Sequence, residues 1–403
     1  MLSRLKKFCA NAALSVVSFL LTYLVCELLF FRVLLPSMSY NIRPHLPDRA
    51  DFFMQNSKSR YVPHDYIALL GDSYAAGVGD WLLAGGGIAD NPYHSANVIH
   101  DLTGRDVASF GRVNIGSAQA MVQRVARILD DDGCYLFPEI ETPARFVVYF
   151  YEGNDFADNY ELLLNDVKPH GGEFDAQVGA QVDAFLRDRY ARPSRWACHG
   201  HFGDMLWRMA RYAMKYAGRP PPAVIDLPAT INPVVLGGAT RMAGDFQAPP
   251  LLMSETEIGV AATVYARSLA WLRGRFPAVP VTVVYVPSAP SVYRHGGDTV
   301  LLKEVFAPGD PGGPTYKFGL RASPAAIYAG SETACTRIRD ATPEGVAFID
   351  ARPAFRKAAA TAFLHGPRDW NHPNELGYHV LGALVAARLD QRTRDACDPG
   401  ASE

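Results

Sequence analysis

The sequence predicts an α/β fold whose mostly parallel sheet is covered by helices on both faces. Residues 145–151 and 279–286 are apolar almost throughout, which is typical of strands buried on both faces. Strand-like segments also alternate with segments of helical spacing, and this alternation favours parallel strands joined by helical crossovers. The chain has 403 residues, 49% hydrophobic and 20% charged, so it can bury a large core.

The elements are predicted in chain order from hydrophobic period. Strands, as short apolar runs, are expected at residues 66–70, 112–115, 145–151, 279–286 and 346–350. Helices, with apolar residues every three or four positions, are expected at residues 92–102, 118–129, 261–272 and 376–387. Pro287 ends one strand and Gly104 ends one helix, as these residue types commonly do.

Residues 1–35 are predicted to be a cytoplasmic tip and a transmembrane anchor. Three basic residues within the first seven precede an uncharged run, Phe8–Cys26, and apolar character continues to Leu35. A helix needs about 20 apolar residues to cross a bilayer, and the basic end is expected to stay cytoplasmic. We therefore expect a single-pass protein of the inner membrane with a periplasmic domain. A cleaved signal peptide is the alternative, but the run is long and lacks a small-residue cleavage site.

Beyond the anchor, the chain is expected to form one folded domain. We predict a polar stem at residues 36–62, the domain at residues 63–395 and a tail at residues 396–403. The alternation stops at about residues 156–260, where we expect an insertion carried by the sheet. Its predicted parts are helices at residues 174–190 and 204–216, followed by a proline- and glycine-rich stretch at residues 218–250.

Gly71-Asp72-Ser73-Tyr74 directly follows the first strand of the predicted domain. A glycine here allows a sharp turn and leaves the serine at the carboxyl edge of the sheet, where open α/β sheets bind ligands. Position 75 is alanine, so the nucleophile elbow of α/β-hydrolases is not indicated. Taken alone, the motif predicts a turn in which Asp72 or Ser73 caps a helix.

Asp369-Trp370-Asn371-His372 precedes the last predicted helix. With this spacing a carboxylate can bind one imidazole nitrogen and leave the other facing a serine. Taken alone, the segment also fits a turn in which Asn371 or Asn374 caps the helix and the histidine lies at the surface.

Two further turns follow predicted strands. Asn114-Ile115-Gly116 follows the second strand and Gly153-Asn154-Asp155 follows the third. Backbone N–H groups and an asparagine amide at such turns can bind a developing oxyanion. Each is an ordinary turn by itself, but four such sites at the carboxyl ends of successive elements favour an active site.

Together these four blocks resemble the SGNH (GDSL-like) hydrolase superfamily, in its membrane-anchored bacterial type, over roughly residues 64–390. Gly71–Tyr74 is similar to the serine block, with Tyr74 where leucine is usual. Gly116 is similar to the glycine block, Gly153-Asn154-Asp155 to the asparagine block, and Asp369–His372 to the Asp-x-x-His block. The resemblance implies a three-layer α/β/α sandwich with an SGNH/flavodoxin-like sheet. The insertion has no place in the minimal fold of that family.

The resemblance also implies a role for each site residue. Ser73 is the nucleophile, His372 the general base and Asp369 the residue that orients His372. The oxyanion hole consists of the Ser73 and Gly116 N–H groups and the Asn154 side chain. Asp72, Tyr74 and Asp155 are candidate supporting residues. No cofactor is implied. Cys198, His199, His201 and Asp204 match no standard zinc spacing, so no metal is expected.

We therefore expect an extracytoplasmic serine esterase that cleaves O-acyl esters, acetyl above all, on cell-envelope or exported carbohydrate through an acyl-enzyme. The choice of carbohydrate rests on location and family analogy. The alternatives are an O-acyltransferase with the same triad, a catalytically silent glycan-binding or envelope-assembly protein, and a lipase or thioesterase. The net charge of −2 gives no basic excess for a nucleic-acid partner.

Four of the six cysteines lie beyond the anchor: Cys134, Cys198, Cys335 and Cys397. In an oxidising compartment they allow two disulfides in three connectivities. The sequence does not choose among these connectivities.

Overall fold

A computed structural model describes residues 2–29, 33, 48–83, 91–130, 139–167, 177–191, 207, 210, 211, 214, 230–308 and 315–397. The strands in these residues are β1 (Ile67–Leu70), β2 (Val107–Ser109), β3 (Arg145–Tyr151), β4 (Asn232–Leu236), β5 (Ala239–Ala243), β6 (Phe246–Gln247), β7 (Val281–Val286), β8 (Val300–Ala307), β9 (Thr315–Ala322) and β10 (Ala347–Asp350). Five of them form the central sheet, in the order β10-β7-β3-β1-β2. Every neighbouring pair in this sheet is parallel, which confirms the predicted α/β class with a mostly parallel sheet.

The α-helices in the described residues are α1 (Leu2–Leu29), α2 (Asp48–Phe53), α3 (Ser73–Ala76), α4 (Asp80–Leu83), α5 (Ser95–Thr103), α6 (Arg124–Leu129), α7 (Asp155–Leu162), α8 (Val178–Phe185), α9 (Glu255–Arg275), α10 (Pro324–Ala341), α11 (Arg352–Ala359) and α12 (Glu375–Arg388). A π-helical segment, Gln119–Gln123, leads directly into α6. Asn374 caps α12 by accepting the Gly377 N–H at 3.1 Å, so the predicted cap of the last helix is Asn374 and not Asn371.

Alternate residues of the central strands enter two separate apolar clusters. Phe146 and Val148 of β3 join one cluster, which includes residues of α7, α9 and α10. Val147 and Tyr149 join the other, which includes residues of α5, α11 and α12. The central strands are therefore buried on both faces, as their continuous apolar sequences predict.

Two small sheets lie beside the second cluster. One is the antiparallel hairpin β4–β5, and the other has the order β6-β8-β9. Phe246 of β6 and Leu302 of β8 pack in the same cluster as Trp370, from the segment before α12. The insertion therefore reaches the predicted catalytic segment. The sequence analysis did not predict the β8–β9 hairpin or α10.

The strand predicted at residues 112–115 is wrong. The place beside β1 is taken by β2, in which Val107 pairs with Ile67 and Ser109 with Leu69. The chain then leaves the sheet and turns, with Asn114 at φ 55°, a left-handed conformation that a strand does not accommodate. Residues 107–109, which are buried, therefore form the edge strand of the sheet, and residues 112–115, which are partly or fully exposed, do not.

The described part of the predicted stem instead packs into the domain. Phe52 and Phe53 of α2 are 0% and 2% exposed, and both belong to the first apolar cluster. Asp48 at the start of α2 accepts hydrogen bonds from Arg112 at 2.6 Å and from the buried Arg124. The apolar contacts of Phe52 and Phe53 and the ion pairs of Asp48 therefore make residues 48–53 part of the folded domain.

The N-terminal helix has the length and composition of a membrane span. Lys6–Leu29 has a mean hydropathy of 2.1 over its most apolar window. Large apolar side chains along it, such as Phe8 and Leu14, are exposed, unlike those of a core helix. A signal sequence would meet the same criteria of length and composition.

One disulfide joins Cys335 of α10 to Cys397 near the chain end. Of the three connectivities that the sequence allows for the four cysteines beyond α1, this disulfide is compatible with one, in which the remaining two cysteines are Cys134 and Cys198. Those two cysteines lie outside the described residues, as do most of the predicted helix at 204–216 and the start of the proline- and glycine-rich stretch.

Candidate active site

The Gly71–Tyr74 motif turns the chain from β1 into the short helix α3. Gly71 has φ 149°, and a Cβ there would lie 3.0 Å from Ala75 Cβ and 3.1 Å from Tyr149 Cβ. Asp72 then caps α3 because its carboxylate accepts the Tyr74 N–H at 2.9 Å. The capping turn that the sequence predicts is thus formed, and it leaves Ser73 at the carboxyl end of β1.

Ser73, His372 and Asp369 form one chain of hydrogen bonds. Ser73 Oγ lies 2.9 Å from His372 Nε2, and His372 Nδ1 lies 2.6 Å from Asp369 Oδ2. With the imidazole proton on Nδ1, Nε2 can accept the hydroxyl proton of the serine. The fold therefore brings together the three side chains that the sequence separates. Their catalytic roles stay predictions.

Asp369 is held as an anion directed at His372. Its other oxygen accepts the backbone N–H groups of Asn371 at 3.0 Å and His372 at 3.1 Å. Burial alone would raise the pKa of Asp369, but the hydrogen bond and charge of His372, with these two N–H groups, lower it below the usual value. The side chains of His372 and Asp369 are 23% and 13% exposed, and Ser73 is 7% exposed, so the site is partly open to solvent at His372.

Asp72 and Asn154 lie beside Ser73. Asp72 is fully buried, and its Oδ2 is 3.3 Å from Ser73 Oγ. Burial raises the pKa of Asp72, while the Tyr74 N–H, the charge of His372 and side-chain hydrogen bonds from Asn154 and Ser73 act against this rise. An asparagine amide has two N–H donors. One can bind Asp72 while the second stays available to a ligand.

Gly116 packs directly on α7, the helix that Asn154 precedes. A Cβ at Gly116 would lie 2.8 Å from Asp158 Cβ and 3.0 Å from Asn159 Oδ1, so a larger residue would push α7 away. Asn159 fixes this contact because its amide exchanges two hydrogen bonds with Ser117, at 3.1 Å and 3.0 Å. Gly116 and Asn154, the two residues predicted to complete the oxyanion hole with Ser73, therefore both lie at α7: Gly116 packs against it and Asn154 directly precedes it.

Asp155 shapes the Asn154 turn. It accepts the Tyr151 N–H at 2.8 Å, which closes the turn between β3 and α7. Burial, and then the charges of Asp72 and Asp158, raise the pKa of Asp155 well above its usual value. Burial is the largest cause of a raised pKa for all three neighbouring carboxyl groups, Asp72, Asp155 and Asp158.

Sequence reasoning missed a buried carboxyl group next to the asparagine block. Glu152 is 1% exposed, and its carboxylate accepts hydrogen bonds from the backbone N–H and hydroxyl of Ser288 and the hydroxyls of Ser291, Tyr285 and Ser331. These donors come from β7, the turn after it and α10. The position of Glu152 directly before Gly153-Asn154 was its only sequence signal.

Two further groups missed from sequence fix the segment that carries His372. The Asp80 carboxylate accepts the backbone N–H groups of Arg368 and, at 3.2 Å, Asp369. The Asn371 side chain accepts the Gln247 N–H of β6 at 2.6 Å. The segment before α12 is thus held from two directions, by Asp80 of α4 and by Gln247 of β6.

A second imidazole, His365, lies near the first. It is fully buried, its Nδ1 lies 3.0 Å from the Tyr293 hydroxyl, and burial lowers its pKa to about 3. His365 is therefore neutral at ordinary pH and does not compete with His372 for a proton.

The cluster of Cys198, His199, His201 and Asp204 lies outside the described residues. Within them, one grouping of ligand-type side chains occurs: Cys335, Asp350 and Cys397. Its two sulfurs form the disulfide and cannot act as thiolate ligands. Comparison with protein-family models and with curated proteins finds no match to this chain.

Proposed function

We propose that this protein is a serine esterase whose nucleophile is Ser73. The observation that carries the proposal is the continuous hydrogen-bonded chain from Ser73 Oγ through His372 to Asp369, at 2.9 Å and 2.6 Å. Both distances are within the reach that a nucleophile and its general base require. The lowered pKa of Asp369 supports an ionised carboxylate that stabilises His372 when it takes up a proton.

In the proposed reaction, Ser73 Oγ attacks the ester carbonyl carbon while its proton moves to His372 Nε2. The oxyanion is stabilised by the Ser73 and Gly116 N–H groups and the free N–H of the Asn154 amide. When the intermediate collapses, the C–O bond to the alcohol breaks and the alcohol takes the proton from Nε2. Water then attacks the acyl-enzyme by the same steps and releases the acid and Ser73.

We further propose that the fold is the three-layer α/β/α sandwich of the SGNH (GDSL-like) superfamily. Support comes from the parallel sheet, the separate apolar clusters on its two faces and the chain order of the four blocks. Residues 48–397, with the insertion, would form the catalytic domain.

The proposed location is the extracytoplasmic side of the inner membrane, with α1 as the anchor. Two observations support it: the length and apolar character of α1 and the disulfide between Cys335 and Cys397, because disulfides persist in oxidising compartments. Carbohydrate O-acetyl esters are the proposed substrates, by analogy with location and family. An O-acyltransferase would use the same triad with a sugar hydroxyl in place of water.

Labelling with a fluorophosphonate tests the nucleophile. We expect the full-length protein to be labelled and Ser73→Ala to be unlabelled. Ser268→Ala is a control, because Ser268 is also buried but its hydroxyl donates within α9, to the Val264 carbonyl at 2.7 Å. A well-folded wild type that takes no label would refute the proposal and favour a glycan-binding protein. Product analysis with an acylated glycan, with and without an acceptor sugar, then separates hydrolysis from transfer.

A further inference from the structure

Tyr74 connects the serine turn to the histidine segment. It follows Ser73 in α3 and is fully buried. Its hydroxyl donates a 2.5 Å hydrogen bond to the Asn371 carbonyl oxygen, 297 residues away in the sequence. Its ring stacks on Tyr151 with the centroids 4.1 Å apart and lies 5.5 Å from the His372 ring. Tyr74 is therefore a structural link between the two halves of the site and not part of its surface.

The peptide group between Asn371 and His372 is held at both ends. Tyr74 binds its carbonyl oxygen at 2.5 Å, and Asp369 Oδ1 accepts its N–H at 3.1 Å. Because a peptide group is planar, two bonds on opposite sides fix the orientation of its plane. That plane fixes the positions of the His372 N and Cα atoms, and so restricts the directions in which its side chain can leave the backbone.

We propose that Tyr74 is a positioning residue, whose hydroxyl sets the orientation of His372 relative to Ser73. This inference rests on the proposed function of these two residues. Ser73 and Tyr74 are consecutive residues of α3. The hydrogen bond from Tyr74 to the Asn371 carbonyl therefore fixes the position of His372 relative to Ser73. The leucine usual at this position in the resembled family has no donor, so this link belongs to this chain.

The hydroxyl, rather than the ring, carries the effect. Burial, and then the neighbouring Tyr151, raise the pKa of Tyr74 well above its usual value, so the hydroxyl stays a neutral donor at physiological pH. A phenylalanine would keep the stack on Tyr151 but would leave the carbonyl with only the Tyr151 hydroxyl, at 3.5 Å. A contact this long is a weak hydrogen bond.

The test compares Tyr74→Phe with Tyr265→Phe in the full-length protein. Tyr265 is also fully buried, and its hydroxyl makes one bond, 2.7 Å to Thr342 Oγ1, in the cluster on the other face of the sheet. Both variants lose one buried hydroxyl hydrogen bond, but only Tyr74→Phe frees the His372 segment. Small misplacements of reacting groups cost up to about 100-fold in rate. We expect Tyr74→Phe to slow the maximal rate of fluorophosphonate labelling about 10- to 100-fold with little change in the half-saturating concentration, and Tyr265→Phe to label like the wild type.

A second readout follows the base directly. The Nδ1 proton of His372, bound to Asp369, should give a far-downfield NMR signal in the wild type and in Tyr265→Phe, and should be broadened by exchange with water in Tyr74→Phe. Tyr74→Leu, which also lacks the donor, replaces Tyr74→Phe if the latter does not fold.

The outcomes separate this inference from the proposed function. Folded Tyr74→Phe or Tyr74→Leu protein that is labelled at the wild-type rate and keeps the His372 signal would overturn the positioning role alone. A wild type that takes no label would overturn the esterase proposal, and the His372 signal would still decide whether Tyr74 orients the imidazole.

Discussion

Replacing Glu152 by glutamine tests how much the buried hydrogen-bond network of its carboxyl group stabilises the fold beside the asparagine turn. One carboxylate oxygen accepts the Ser288 N–H at 2.8 Å and the Ser288 and Ser291 hydroxyls at 2.6 Å each. The other accepts the Tyr285 hydroxyl at 2.5 Å and the Ser331 hydroxyl at 2.6 Å. In Glu152→Gln, an NH2 group takes the place of one of these oxygens and cannot accept any of the two or three hydrogen bonds on its side.

The magnitude follows from the bonds that change. Hydrogen bonds to a charged group contribute about 1.5–3 kcal/mol each and neutral ones about 0.5–1.5 kcal/mol. The loss is smallest when the new NH2 group takes the position of the oxygen that accepts two hydrogen bonds. On that side the Ser331 hydroxyl can rotate to accept an N–H, and the Tyr285 hydroxyl can turn towards the Ser331 carbonyl at 3.3 Å. We expect Glu152→Gln to lower the free energy of unfolding by about 2–4 kcal/mol.

Urea unfolding of the full-length proteins measures this effect as a lower midpoint at unchanged slope. Glu257→Gln is the matched control. Glu257 also accepts two hydrogen bonds on one oxygen, from the N–H and hydroxyl of Ser254 at 2.7 Å and 2.8 Å, but at an exposed helix start. There we expect a loss below about 1 kcal/mol. Equal losses in the two variants would refute the reasoning, because burial would then add nothing to the network.

Three further predictions concern the site. Asn154→Ala should lower turnover about 100- to 1,000-fold without loss of folding, and an unchanged kcat would remove Asn154 from the proposed oxyanion hole. Asp80→Ala removes the acceptor of the Arg368 and Asp369 N–H groups and should slow labelling of Ser73 about tenfold. Asp80→Asn keeps an acceptor oxygen and should cause a smaller loss, and equal rates in the two variants would contradict this role. Burial, and then the charges of Asp72 and Glu161, raise the pKa of Asp158 to about 8 from 3.8. The folded state therefore binds the extra proton, and the stability that Asp158 contributes is lost as the pH rises from about 4 through about 8, at up to about 1.4 kcal/mol per pH unit. Asp158→Asn should remove this loss, so the urea midpoint should fall less between pH 5, 7 and 9 in the variant than in the wild type. Parallel pH profiles of the two proteins would show that Asp158 does not cause the pH dependence.

An element of the fold could be predicted where its own residues show the hydrophobic pattern of a strand or a helix. The run at 145–151 is β3. A strand in the middle of a parallel sheet is apolar at nearly every position, so it can be recognised without knowledge of its partner strands. The edge strand was misplaced because β2 is three residues long, and its selection over residues 112–115 depends on pairing with β1. The β8–β9 hairpin was missed although its outer strand alternates apolar residues with polar ones and glycine, at Tyr316, Phe318, Leu320 and Ala322. Much of that strand is exposed, so burial gives it no continuous apolar run of the kind that marks β3.

The sequence by itself determined the α/β class, the apolar N-terminal helix and the four turns that carry the proposed chemistry, because a turn's glycine, cap and spacing act within a few residues. Only the tertiary structure decided what holds those turns in place. Glu152 finds its donors 133 to 179 residues away, and Tyr74 finds the Asn371 carbonyl 297 residues away. Hydrogen bonds between distant elements depend on how those elements pack, and no local pattern in the chain records that packing.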